Sequence, residues 1–457
     1  MSKQKIYIPS SEIKHPNGYH SDSLGFTFRW NGHFLRGILP ESADFARRYF
    51  DSGFIDEICG KGMFPKTWIS DFENEEFAFI IEHEMMTPLL YATDWNFSML
   101  RDASALVLEI AKIAKKYGYN MIDCHKLNVM FKYGRPMYVD LGSFIPYEEG
   151  SSAWRPYLSF LRSYYYILDI WHKGAGQIAK RSMTPGVEFN LRDYHLFMNP
   201  VWRLCPGMME RIYGFRGTLH AFATTSLDNI RNKSRNRSNL YKRVALSAKK
   251  IINLLKPVKS QRQFSMDFMC SRIRKMYLSP TVPVTESPEY NQDIVQVINE
   301  HVPAHSATIF ECNSPSLLAS ILEKTSVSTM IAVHENEYMS EAIYKAVNEQ
   351  HLAVTCTYYQ ISEGGLLIRG RYPEDRFKSD VAIALNYNPQ PGIRGVHSTL
   401  WFVHERIQYS TQGKVVFMIP GTREDIVEAL SQKYCTQAFT IHGGMCVVIE
   451  EKRPLVS

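Results

Sequence analysis

The chain has 457 residues, of which 45% are hydrophobic, 13% aromatic and 21% charged, with a formal net charge of +6. At roughly 100 to 200 residues per domain, that length predicts two or three domains, and the composition excludes a disordered, collagenous or coiled-coil protein. No apolar run approaches the roughly 18 residues of a membrane-spanning helix, and Met1-Ser2-Lys3-Gln4-Lys5 is followed by no apolar signal core, so a cytoplasmic location is expected. The eight cysteines include no C-x-x-C pair. They read as reduced thiols with no structural metal.

In chain order, the first clear element is a helix over 98 to 117. Leu100, Ala103, Leu106, Val107, Ile110, Ala114 and Tyr117 recur at helical spacing, and Gly118 follows as a helix-ending residue.

The stretch Asp123-Cys-His-Lys-Leu-Asn128-Val-Met-Phe-Lys-Tyr-Gly134-Arg-Pro-Met-Tyr-Val-Asp140-Leu-Gly142 then holds two short β-prone runs, 129 to 131 and 137 to 139, around a Tyr-Gly-Arg-Pro turn. Pairing centred on Gly134 sets 131 opposite 137, 129 opposite 139 and Asn128 opposite Asp140. Opposed residues lie about 5 Å apart at Cβ, within reach of one hard cation such as Mg²⁺. Asp123, on the loop leading in, is the candidate to orient or deprotonate a hydroxyl. The spacings match the D-x-x-x-x-N and D-x-G of the protein-kinase-like fold, where ATP and Mg²⁺ are bound. Other parts of that pattern are missing: Met121 stands where the motif has His, no Gly-rich phosphate loop precedes it, and Arg36 stands where a phosphate-binding Lys would lie. The bland alternative is that Asp123 and Asp140 cap turns around a hairpin.

Residues 231 to 275 carry fourteen Lys or Arg and one acid, Asp267, a net +13 that leaves the remainder at −7. Such a segment suits nucleic acid or an anionic membrane face, including peripheral attachment to the inner membrane. It equally suits a solvated helix face against an acidic neighbour. Pro280, Pro283 and Pro288 mark a linker after it. The expected divisions are 1 to 230, a basic helical segment and linker over 231 to 289, and 290 to 457.

Past 290, short apolar runs at 307–312, 328–334, 352–357, 379–386 and 414–419 alternate with helical stretches, the pattern of βαβ units around a largely parallel sheet. Two closing runs, 438–441 and 445–449, are joined through His442-Gly443-Gly444 as an antiparallel hairpin. The first strand exits at Glu311-Cys312-Asn313-Ser314-Pro315 and the second at Glu335. In dinucleotide and S-adenosylmethionine folds, a glycine-rich turn at the first exit admits the cofactor to the backbone and an acid at the second bonds its ribose. Glu335 suits the second role, with a solvated strand-end acid as the alternative. Asn313 and Pro315 occupy the glycine positions of the turn. Asn386-Tyr387-Asn388-Pro389 is a partial N-P-P-Y, or simply an Asn-Pro turn. His301 and His305 share i, i+4 spacing, but Pro303 between them breaks the helix a metal pair would need.

The chain resembles a bacterial family of two-part class I S-adenosylmethionine-dependent methyltransferases, including nodulation-type members, with a kinase-like front half. The residues that carry the resemblance are Trp95-Asn-Phe-Ser-Met-Leu-Arg-Asp102-Ala, Asp123 to Asn128, Gly134-Arg-Pro-Met-Tyr-Val-Asp140-Leu-Gly-Ser-Phe and Trp154-Arg-Pro-Tyr-Leu-Ser-Phe. It implies a kinase-like N-terminal domain and a Rossmann-like methyltransferase-type parallel sheet. S-adenosylmethionine would be bound near Glu311, Cys312, Asn313 and Glu335, with a surface or secreted glycan as acceptor. The rival class is a pseudoenzyme or scaffold that holds an anionic partner through its basic segment.

Overall fold

The structure, a computed structural model, describes residues 5–14, 21–147, 154–184, 186–187, 189, 191–198, 265–278, 287–359, 376–387 and 393–451. The strands of the first half are β1 (Ile6–Tyr7), β2 (Ser21–Asp22), β3 (Gly25–Trp30), β4 (His33–Ile38), β5 (Thr67–Ile69), β6 (Phe72–Glu73) and β7 (Phe79–His83). Five form an antiparallel sheet in the order β2-β3-β4-β7-β5, while β1 pairs with β6 alone. The β3–β4 hairpin turns on Asn31-Gly32, both at positive φ, with Trp30 opposite His33, the two-residue turn that matches strand twist. Helices α1 (Ala43–Asp51) and α2 (Phe54–Gly60) follow β4.

The predicted helix is α3 (Phe97–Lys116), capped by the Asn96 side chain, which accepts from Met99 N at 2.9 Å. Beyond it lie β8 (Tyr119–Met121), β9 (Val129–Lys132), β10 (Arg135–Tyr138) and β11 (Phe144–Pro146), in the pairs β8–β11 and β9–β10. The β9–β10 register corrects the expectation. Phe131 pairs with Pro136 and Val129 with Tyr138, because Tyr133 (φ 48°) and Gly134 (φ 72°) make a two-residue turn centred between them. Arg135 and Pro136 therefore belong to the strand, and the backbone opposite Asn128 is Val139, whose N–H bonds Asn128 O at 2.9 Å.

The second half opens with the helix Pro288–His301 and continues with β12 (Ser306–Phe310), β13 (Thr329–His334), β14 (Val354–Tyr358), β15 (Val381–Ala384), β16 (Lys414–Pro420), β17 (Cys435–Ile441) and β18 (Gly444–Glu450). Their order is β14-β13-β12-β15-β16-β18-β17: the first five are parallel, β18 is antiparallel to β16, and β17, antiparallel to β18, runs in the direction of the first five. This is the doubly wound Rossmann-like arrangement, closed by the expected hairpin, whose antiparallel β18 is inserted between β16 and β17. Strands β12 to β16 are buried almost throughout, as a parallel sheet covered on both faces requires.

One apolar core runs through both halves, from Leu24 and Trp95 to Phe417 and Val447. A smaller one, Ile8, Ile13, Phe28, Leu35, Phe77 and Ile80, covers the other face of the N-terminal sheet. Polar contacts also cross between the halves. Thr357 Oγ1 donates to Asp94 O at 3.0 Å, and Lys180 Nζ donates to Trp95 O and Tyr358 O, each at 2.8 Å. The fully buried Glu341 accepts from Ser98 N at 3.0 Å, so a carboxylate of the second half sits where the α3 dipole favours one.

Of the basic segment, residues 231 to 264, including Lys242, Arg243, Lys249 and Lys250, lie outside the described residues. In the helix Met266–Arg274, Arg274 pairs with Glu109 of α3 and Arg272 stacks over Tyr165 at 5.2 Å. No helix among the described residues is long and apolar enough to cross a membrane.

Candidate functional site

The first candidate site lies where β9 and β10 meet the loops on either side. Asn128 Nδ2 donates to Asp123 Oδ2 and to Asp140 Oδ2, each at 3.3 Å, so the three predicted side chains converge although the register differs by one. Tyr138 OH donates to Asp123 O at 2.9 Å, and Tyr138 is fully buried, which fixes the entry loop against the hairpin. Asp140 also caps the turn Leu141–Ser143: its Oδ1 accepts from Gly142 N at 3.1 Å and its Oδ2 from the Ser143 hydroxyl. Asp123 Oδ1 accepts from His125 N at 3.2 Å. Turn capping and convergence are thus both present.

Burial pushes the Asp140 carboxyl upward, and the Asp22 and Asp123 charges add to this against the Ser143 hydroxyl and the Arg36 charge. Asp123 is also raised by burial, but His125, by hydrogen bond and charge, brings it below its usual value overall. The two acids are therefore pushed apart, the pattern that separates a proton-holding carboxyl from an ionised one. His125 Nε2 lies 2.7 Å from Asp123 Oδ2, a partner the sequence reading missed although it stands only two residues on. Arg36 Nη1 lies 2.6 Å from Asp22 Oδ2. Among the described residues, no cluster of three or more His, Cys, Asp or Glu is placed to hold a metal. The site offers two carboxylates, hard oxygen donors of the kind Mg²⁺ takes together with water and phosphate, while Asn128 turns its Nδ2 to both acids and would present its oxygen to a cation only with the amide flipped.

The second candidate site is the carboxyl edge of the parallel sheet, at adjacent strands β12 and β13. Glu311, at φ 55°, accepts from Glu335 N through Oε1 at 2.6 Å. Its carboxylate ties the two strand exits together, and burial raises its pKa. Cys312 is buried with its thiol bonded to Ser314 O at 3.3 Å, and Asn313 is half-buried beside it. Ser314 caps the helix Pro315–Lys324 through Leu317 N at 3.1 Å, with Pro315 at its first position. The tight turn is therefore achieved by a left-handed Glu and a Ser-Pro cap where glycines would leave the backbone open.

Glu335 stays 35% exposed, with Arg406 Nη2 3.6 Å from its Oε1. Arg406 is buried, stacked over the rings of Phe402 at 4.0 Å and Phe310 at 4.7 Å. It was not singled out in the sequence because nothing local marks a helix arginine that reaches back to a strand end. Asn386 donates to Glu311 O at 2.5 Å and Tyr387 stacks on Phe402 at 4.0 Å, so both brace the edge. Asn388 and Pro389 lie outside the described residues. His301 ends its helix beside Glu300 at 3.7 Å and packs its ring against Phe439, with centroids 4.2 Å apart. The Glu335 carboxylate is open enough to meet a ligand hydroxyl, whereas the turn from Glu311 to Pro315 lacks the glycines that would let a cofactor such as S-adenosylmethionine approach the backbone.

No protein-family model matches the chain, and no curated protein matches it. Solved structures to which it is similar include M. capricolum TrmK in complex with the natural cofactor product S-adenosyl-homocysteine, at 11% identity over 36% of this chain and 67% of that chain, TM-score 0.26. Others are the METTL16 methyltransferase domain, at 12% identity over 51% and 92%, TM-score 0.28, and human methyltransferase 10 domain containing protein, at 15% identity over 40% and 92%, TM-score 0.27. Likenesses this slight carry no argument about activity, and the Rossmann-like assignment rests on the sheet order itself.

Proposed function

We propose that this chain is a two-part transferase-type protein whose second half is a class I, S-adenosylmethionine-dependent methyltransferase-type domain. The observation that supports the reading best is the doubly wound sheet with its closing hairpin and, at its carboxyl edge, Glu335 placed at the end of the second strand. A glycan acceptor rests on the family resemblance alone. Calorimetric titration of the whole chain with S-adenosylmethionine tests the reading, and heatless, unsaturable mixing at millimolar ligand counts against it.

A second reading concerns the first half as a kinase-like module that takes ATP and Mg²⁺. It is supported by the convergence of Asp123, Asn128 and Asp140, in which Asn128 and Asp140 would hold the metal and Asp123 would orient an acceptor hydroxyl. A separate titration with ATP plus Mg²⁺ tests it. A third reading, a binding scaffold in place of an enzyme, draws support from Arg406 beside Glu335, since that guanidinium competes with a ribose for the carboxylate. Its test is absence of binding in both titrations.

A further inference from the structure

Arg36 sits near the middle of β4, which is paired on both sides by β3 and β7, and it is only 5% exposed. Its Nη1 bonds Asp22 Oδ2 at 2.6 Å, while its Nε, also buried, has no hydrogen-bond partner among the described residues. A planar guanidinium offers a fork of donors suited to two oxygens of one anion, and here its Nε donor is left unused at a desolvation cost. The partner is held differently. Asp22 lies on the two-residue edge strand β2, paired only with β3, and its side chain is 27% exposed. Its other oxygen, Oδ1, accepts from Leu24 N at 2.8 Å.

Asp22 is also the group that covers the Asp140 turn. A Cβ added to Gly142 would lie 2.0 Å from Asp22 Oδ2, so the carboxylate rests directly on the glycine two residues from Asp140, between that turn and Arg36. We infer that Asp22 is an internal counter-anion that holds the place of a phosphate group on Arg36, and that a phosphate-bearing ligand enters the first site by displacing it. The exposed edge strand moves, and the arginine on the central strand stays. This rests on the reading of the first half as a phosphate-binding module.

The test is calorimetric titration of the full chain with MgATP and, separately, with inorganic tripolyphosphate. Weakening the charge-assisted bond between Asp22 and Arg36 should tighten both ligands about tenfold or more in Asp22→Asn. Arg36→Gln in the Asp22→Asn background should remove that gain, whereas general relief of negative charge would survive it. Asp22→Ser, with melting temperatures for each variant, guards against a folding defect in one substitution. Equal affinity in the wild type and both Asp22 variants would overturn the counter-anion while leaving phosphate binding intact. No binding in any variant would overturn both together.

Discussion

Arg376 and Asp94 form an ion pair at 2.6 Å whose side chains are 2% and 1% exposed, and it joins the two halves of the chain. A second contact, from Arg376 Nη2 to Asp94 Oδ1, is 3.4 Å, and Arg376 also donates to Leu89 O at 2.8 Å. Asp94 accepts in addition from Tyr91 N at 2.7 Å. Removing one partner of such a pair leaves an uncompensated buried charge, at about 3 to 5 kcal/mol. Arg376→Ala should therefore lower the stability of the whole chain by that amount. The Arg376→Met, Asp94→Leu double variant should lose much less than the sum of the single losses, as read by urea denaturation. Because one core spans both halves, the transition should stay single.

His334, fully buried at the end of β13, has both ring nitrogens without a hydrogen-bond partner among the described residues, and burial pushes its pKa down from 6.5 to about 3. Its unfolded-state pKa is the higher one, so its contribution is intact above about pH 6.5 and is lost as pH falls towards 3, by up to about 1.4 kcal/mol per unit. His83, pushed down to about 3 by burial and the Arg36 charge, acts in the same direction. His334→Leu should flatten the acid limb of a melting-temperature profile between pH 7 and 5. An unchanged slope would show that the ring is already solvated.

Asp140→Asn separates function from stability. The carboxyl is raised by burial, so its charge is a cost at neutral pH, and an amide of the same size should leave the melting temperature unchanged or higher. The same change replaces a charged carboxylate ligand by a neutral amide, so any Mg²⁺-dependent ATP affinity should fall about tenfold or more. Isothermal titration beside differential scanning calorimetry reads both, and a drop in stability would mark Asp140 as a structural cap alone.

Much of the second half was legible because a buried parallel strand writes itself as an apolar run: β12, β13 and β16 fall within about a residue or two of the expected spans. The α3 helix was equally clear from its apolar period and the Gly118 stop. The β9–β10 register was missed by one residue because a left-handed Tyr133, a conformation that side chains seldom adopt, shortened the turn. The convergence of Asn128 and Asp140 survived that shift because Asp140 stands one place beyond the paired residue and turns back as a cap. Arg406, Arg376, Asp22 and Glu341 were not visible as site residues. Each acts on a partner at least 14 residues away, a separation that no local pattern encodes.

The most direct test of the account is the affinity of the full chain for S-adenosylmethionine, measured by calorimetry in the wild type and in Glu335→Ala. A ribose held by this carboxylate predicts saturable binding in the wild type and a loss of about tenfold or more in the variant, the cost of one hydrogen bond to a charged group, while the melting temperature falls only as far as the lost counter-charge of the buried Arg406 requires. Equal affinity in the two proteins would contradict the placement of the cofactor at the carboxyl edge of β13.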